Sequence, residues 1–118
     1  MQLLWVENHA GFVRSAGKAF LTAHSVTVVA SVAAAKVALS EKRFDAVLLD
    51  YDLEDGKGTS LIPTLLALPA PPAVIATSSH DSGNQALVAA GAGAVCSKMR
   101  FAEIETILSR VVRPLPPD

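Results

Sequence analysis

The sequence has a single cysteine, few aromatic residues and almost no net charge. Cys96 is the only cysteine among 118 residues, which excludes an internal disulfide bond and a metal cage built from several cysteines. A lone cysteine is typical of the reducing cytosol, so we predict a cytoplasmic protein. The formal net charge is −1 and no basic run occurs. The sequence therefore offers no cluster of positive charge that would attract nucleic acid or an anionic membrane.

The sequence also lacks a segment suited to export or membrane insertion. Its N-terminus has no basic region before the first apolar residues, and the acidic Glu7 follows too soon for a secretory signal peptide. The longest weakly polar run, 26–35, is too short to span a bilayer. We therefore expect a domain that neither crosses nor binds a membrane.

What the sequence does contain is an alternation of short apolar runs and longer amphipathic segments. Hydrophobic residues make up 51% of the chain and aromatic residues 5%, so the core must consist of aliphatic side chains and alanines. Continuous apolar runs without polar alternation are typical of strands that helices cover on both faces, as in a parallel sheet. The predicted strands are 3–6, 26–30, 46–49, 73–77 and 94–97.

Between and after these runs, apolar residues recur at steps of three and four, which predicts five helices. The segments are 12–23, 32–42 with Ser31 as N-cap, 61–66, 84–91 with Gly91 at the C-terminal end, and 101–111. Five strand–helix units in succession predict a doubly wound α/β fold with helices on both faces of the sheet. We expect this domain to occupy residues 1–112. The proline-rich segment 113–118 is either the end of the protein or the start of a linker.

Polar side chains follow four of the predicted strands at the point where each strand ends. In such sheets, sites form at the carboxyl ends of the strands. We therefore expect acids at the centre of one edge, with a hydroxyl on one side and an ammonium on the other. The residues concerned are Glu7 and Asn8, Asp50 and Asp52, Thr77 and Ser78, and Lys98.

Four stretches, "LLWVENH", "VLLDYDLEDGKG", "VIATSSHD" and "AGAGAVCSK", stand in this order along the chain. On these stretches the sequence resembles the receiver domain of response regulators in two-component signalling, from residue 1 to about residue 112. The resemblance implies the strand order 2-1-3-4-5 and makes Asp50 the phosphate acceptor. It assigns the hydroxyl that meets the phosphoryl group to Ser78, with Thr77 as an alternative, and the pairing ammonium to Lys98.

The resemblance also implies a Mg²⁺ ion and signalling partners. Glu7 and Asn8 fall on the acidic pair that holds the metal together with Asp50, and Asp52 falls on the residue whose backbone carbonyl is a ligand. A hard divalent cation would offset the negative charge that a phosphoryl group brings to an acidic site. The implied partners are a histidine kinase or histidine phosphotransfer protein, and an output domain or downstream protein. Such a domain is not an enzyme, although it assists its own phosphorylation.

The sequence departs from the family at three positions. Asn8 replaces an aspartate, which predicts weak Mg²⁺ binding, and Val95 and Met99 replace an aromatic switch residue and a proline. A second hypothesis is therefore a degenerate receiver that binds partners without phosphorylation. A third, a flavodoxin-like cofactor binder, needs a phosphate-binding loop after the first strand, which "ENHAGF" does not provide. The spacing of the three histidines, 9, 24 and 80, does not indicate a metal site, and we predict surface roles for them.

Overall fold

The computed structural model describes residues 1–112, which form a five-stranded sheet with helices on both faces. The elements are β1 Gln2–Val6, α1 Ala10–Phe20, β2 Ser25–Val29, α2 Val32–Glu41, β3 Ala46–Leu49, β4 Asp52–Leu53, β5 Gly56–Lys57, α3 Ile62–Leu66, β6 Ala73–Ala76, α4 Asp81–Ala90, β7 Ala94–Val95 and α5 Ile104–Val111. The five-stranded sheet has the order β2-β1-β3-β6-β7, and every neighbouring pair is parallel. When only the strands of this sheet are numbered, this is the predicted order 2-1-3-4-5.

Two 3₁₀ segments, Gly58–Leu61 and Lys98–Glu103, lead into α3 and α5. None of the helices described within residues 1–112 has the length and apolar character needed to cross a bilayer. The proline-rich segment 113–118, predicted to be a tail or linker, lies outside the described residues.

The sheet separates two hydrophobic layers. Successive residues of a strand point to opposite faces. In β1, Leu4 and Val6 accordingly join the layer on the side of α2, α3 and α4, while Leu3 and Trp5 join the layer on the side of α1 and α5. All of β3 is buried, whereas the edge strand β2 is partly exposed. The continuous apolar pattern predicted that helices cover both faces of each strand. This prediction is confirmed for the central strand β3 and is wrong for the edge strand β2.

Most of the few aromatic side chains pack together on the α1/α5 side. The Trp5 ring stacks on Phe101 with centroids 5.3 Å apart, and Phe12 meets both rings edge-on at 5.8 and 5.2 Å. Such contacts add to the burial of apolar area. The cluster fastens the start of α1 and the segment before α5 to the first strand, which fixes the two loops beside the carboxyl edge of the sheet.

Several elements differ from the sequence prediction; α1 ends at Phe20 rather than at residue 23, and α5 begins at Ile104 rather than at residue 101. Helix α4 begins at Asp81 rather than at residue 84, and no side chain caps its first turn, so the usual start signal is missing. Strand β7 ends at Val95 rather than at residue 97, because the chain turns into the 3₁₀ segment soon afterwards. Residues 52–57 form the short antiparallel hairpin of β4 and β5, which is not among the predicted strands.

Candidate functional site

Glu7, Asp50 and Lys98 meet at the carboxyl edge of the sheet. Glu7 directly follows β1, Asp50 directly follows β3, and their backbone amides continue the ladder to Val29 and Val6 at 2.9 and 3.0 Å. The Nζ atom of Lys98 lies 2.9 Å from the Glu7 carboxylate and 3.2 Å from Asp50 Oδ2. Glu7 is 2% exposed and Asp50 5% exposed. One ammonium therefore bridges two buried carboxylates, which leaves an excess of one negative charge.

The surroundings of Glu7 raise the pKa of its carboxyl group. Burial causes this rise in pKa. The hydrogen bond from Lys98 opposes the rise, and the charge of Asp50 adds to it. The net direction is upward, so the ionised form of Glu7 is held at a cost in the folded protein.

We expect Glu7→Gln to raise the free energy of unfolding at pH 7, by on the order of 1 kcal/mol. Because the folded-state pKa of Glu7 is raised, the unfolded chain loses this proton at a lower pH than the folded chain does. The stability of the parent should therefore fall as pH rises from the ordinary carboxyl pKa to the raised one, and this component should be absent in the variant. Urea unfolding from about pH 4, near the ordinary pKa of a glutamate, up to neutral pH measures it.

The exposed Glu41 at the end of α2 supplies the matched control, Glu41→Gln, which should leave the pH dependence unchanged. A Glu7→Gln variant less stable than the parent at pH 7 would contradict the expectation. It would show that the ion pair with Lys98 outweighs the cost of burying the charge.

Two other acids of the segment after β3, Asp52 and Asp55, have partners of their own. Asp52 in β4 forms an ion pair with Lys57 in β5. The Asp55 carboxylate accepts hydrogen bonds from the backbone amides of Val32 and Ala33 at 2.8 and 3.0 Å, which caps α2 and lowers the pKa of Asp55. The negative charges of Asp52 and Asp55 are therefore stabilised without a divalent cation. The side chain of Asp52 is engaged elsewhere, so only its carbonyl stays a predicted ligand.

Two hydroxyl groups lie at the end of β6. Ser78 is 3% exposed, and its Oγ accepts a hydrogen bond from the His80 amide at 3.1 Å. Thr77 is fully buried, and its hydroxyl has no hydrogen-bond partner within residues 1–112. Both predicted candidates are thus at this end of the sheet, and the choice of Ser78 over Thr77 stays a prediction.

A possible metal ligand that the sequence analysis treated as a surface residue is His9. Its side chain is 75% exposed, yet Nδ1 lies 3.6 Å from Glu7 Oε2. One ligand atom each from Glu7, His9 and Asp50 lie within 4.8 Å of one another. Carboxylate oxygens suit Mg²⁺ and Mn²⁺, whereas an imidazole suits metals such as Zn²⁺ and Fe²⁺. These donors fit a divalent cation, and Asn8, another predicted ligand, is exposed like His9.

Two glycines pack against the site with no space for a side chain. A Cβ atom on Gly58 would lie 2.0 Å from the carbonyl oxygen of Asp50. A Cβ atom on Gly83 would lie 2.7 Å from Ser78 Oγ and 3.0 Å from Tyr51 Cβ. Gly58, the last residue of the "EDGKG" stretch, is therefore required by the close approach of two backbone segments.

Known proteins resemble this chain both in sequence and in fold. The sequence matches the response regulator receiver domain family over residues 3–108. A CheY-like response regulator receiver domain from Methylobacillus flagellatus superposes with a TM-score of 0.80 at 24% identity, covering 93% of this chain and 97% of the other. The Mn²⁺-bound form of the response regulator Rcp1 gives 0.75 at 18% identity, covering 97% and 99%.

A third similar structure is the receiver domain of a signal transduction histidine kinase from Syntrophus aciditrophicus. It superposes with a TM-score of 0.78 at 19% identity and covers 92% of this chain and 87% of the other. No curated protein matched the sequence.

Proposed function

The chain belongs to the response regulator receiver domain family, and on that premise we propose that it accepts a phosphoryl group on Asp50. The donor is a histidine kinase or a histidine phosphotransfer protein in the cytoplasm, and the domain assists this transfer without being an enzyme. The observation that carries the proposal is the Lys98 ammonium between Glu7 and Asp50 at the carboxyl edge of the sheet.

The chemistry requires an oxygen nucleophile and positive charge. A carboxylate oxygen of Asp50 forms a bond to phosphorus as the bond from phosphorus to the donor breaks, which gives an acyl phosphate. Lys98 already lies 3.2 Å from Asp50 Oδ2 and can pair with the phosphoryl oxygens as they arrive. Transfer of this kind depends mostly on positioning and charge compensation, which buried and fixed groups supply.

The proposed metal ligands are the side chains of Glu7, Asn8 and Asp50 and the backbone carbonyl of Asp52, with His9 as a nearby further donor. A bound divalent cation would supply charge compensation for the incoming phosphoryl group. Magnesium is the proposed ion, and Mn²⁺ is the alternative because carboxylate and carbonyl oxygens suit both ions.

The functional test is intact mass after incubation with acetyl phosphate, with and without Mg²⁺ or Mn²⁺. The proposal requires a gain of one phosphoryl group that depends on the metal ion. Hydroxylamine should remove the group, because it cleaves acyl phosphates. Absence of the gain at every concentration of either metal ion would reject phosphorylation.

That negative result would favour the second candidate, a degenerate receiver that binds its partner without phosphorylation. Specific observations favour this candidate. Asn8 lacks the charge of a carboxylate, and Val95 and Met99 are 41% and 84% exposed. The side chain of Val95 is small, stiff and already half-exposed. It cannot move between the surface and a buried pocket as the family's aromatic residue does.

We expect Asn8→Asp to raise the affinity for Mg²⁺ by about tenfold, or about 1.4 kcal/mol. The added carboxylate would attract the cation, at some cost in repulsion with Glu7 and Asp50 when no ion is bound. Trp5 fluorescence can report the titration, since Trp5 packs edge-on to Phe12 and the Lys98 ammonium lies 5.3 Å from the Phe12 ring centroid.

The matched control is Thr106→Glu, which adds the same charge at an exposed position of α5. It should leave the affinity near that of the parent. Equal affinities for the parent and Asn8→Asp would show that residue 8 does not take part in binding the metal.

A further inference from the structure

Asn84 in α4 holds the backbone of Ser78 on both sides. Its Oδ1 accepts a hydrogen bond from the Ser78 amide at 2.8 Å, and its Nδ2 donates to the Ser78 carbonyl at 3.1 Å. Asn84 is 4% exposed. A buried amide whose donor and acceptor both bind a single residue fixes that residue more tightly than one contact would, because neither bond can be exchanged for water without cost.

The remaining polar group of Ser78 and its surroundings are fixed as well. The Oγ atom accepts from the His80 amide at 3.1 Å, and the carbonyl also accepts from the Lys98 amide at 3.3 Å. Gly83 brings the first turn of α4 directly against Ser78. Helix α4 begins at Asp81, only three positions after Ser78, and this short connection places Asn84 within reach. The end of β6 and the start of α4 therefore form one hydrogen-bonded unit.

We propose that Asn84 is a positioning residue for phosphorylation, which holds Ser78 where its hydroxyl can meet the phosphoryl group on Asp50. The inference rests on the proposed function and adds to it a residue outside the set of metal ligands and reacting groups. Asn84 acts through the placement of Ser78, since its two hydrogen bonds both go to that residue. Groups that are held before the reaction need no reorganisation during it, and this is the benefit that a fixed Ser78 would give.

The test is a double-mutant cycle on the rate of Asp50 phosphorylation by acetyl phosphate at saturating metal ion. Asn84→Ala should lower the maximal rate roughly tenfold and leave the half-saturating donor concentration unchanged, because a buried Asn84 does not touch the donor. Ser78→Ala should lower the rate by at least as much. In the Ser78→Ala background, Asn84→Ala should change the rate less than about twofold, because no hydroxyl is left to position.

Controls separate positioning from loss of stability. Rates are compared at a temperature below the unfolding transition of every variant, and Gln85→Ala, at the exposed neighbouring position, should retain the parental rate. If Asn84→Ala does not fold, Asn84→Ser makes a smaller change, and the same non-additivity with Ser78→Ala is expected.

The result that overturns the inference is an equal effect of Asn84→Ala in both backgrounds, or a Ser78→Ala variant with the parental rate. Either can occur while the parent is phosphorylated normally, so it would leave the proposed function intact. A parent that gains no phosphoryl group would overturn the proposed function and this inference together.

Discussion

The Asp50→Asn variant is expected to gain no phosphoryl group from acetyl phosphate under conditions that convert the parent. An amide oxygen is a poor nucleophile, so we expect the rate to fall at least about a thousandfold. No neighbouring acid is well placed to substitute for it. Glu7 is buried against Lys98, and Asp55 is held by the amides that begin α2. Intact mass over time measures the loss.

The matched control is Asp52→Asn. This residue belongs to the same acidic segment but pairs with Lys57 on the exposed hairpin. It should still be phosphorylated, because only its backbone carbonyl is a proposed ligand. Circular dichroism should show both variants folded, since Lys98 keeps Glu7 as a partner when Asp50 is neutral. Phosphorylation of Asp50→Asn at the parental rate would remove Asp50 from the role of acceptor.

Gly58→Ala is expected to destabilise the domain by about 3 kcal/mol or more. The new Cβ atom would lie 2.0 Å from the Asp50 carbonyl oxygen and 3.1 Å from its carbon, and both are backbone atoms that cannot rotate away. The Gly58 amide also donates to the Tyr51 carbonyl at 2.6 Å, so a shift would break a hydrogen bond. Relief of the clash must move Asp50 itself, and phosphorylation should decrease as well.

The comparison variant is Gly11→Ala in α1, where nothing lies within 4 Å of the added Cβ. Because alanine favours the helix over glycine, this change should stabilise the domain by up to about 1 kcal/mol. Urea unfolding of the two variants beside the parent gives both values. A Gly58→Ala variant as stable as the parent would contradict this expectation, because it would show that the backbone at Asp50 can move to accept the Cβ atom.

The five strands of the main sheet could be predicted because each is a continuous apolar run, whereas the order of the strands came from the resemblance to the family. The contact among Glu7, Asp50 and Lys98 was foreseeable because the carboxyl ends of parallel strands share one edge. The partner of Asp55 was not foreseeable, since this carboxylate binds α2, a segment more than twenty residues earlier in the chain.

Two further features escaped the sequence for different reasons. An asparagine in a helical pattern indicates an exposed polar residue, and only the short connection after β6 turns Asn84 inward. The proximity of His9 to Glu7 depends on how α1 begins. The His9 amide donates to the Glu7 carboxylate at 3.1 Å, and sequence spacing alone does not specify this geometry.

The central claim is that Asp50 becomes an acyl phosphate, and chemical trapping tests it most directly. Borohydride reduces an aspartyl phosphate to homoserine, which remains in the peptide and can be located by mass spectrometry. After treatment with acetyl phosphate and Mg²⁺, the account predicts homoserine at position 50 and at no other aspartate. Homoserine at another position such as 52, or none in a protein whose mass shows a bound phosphoryl group, would contradict it.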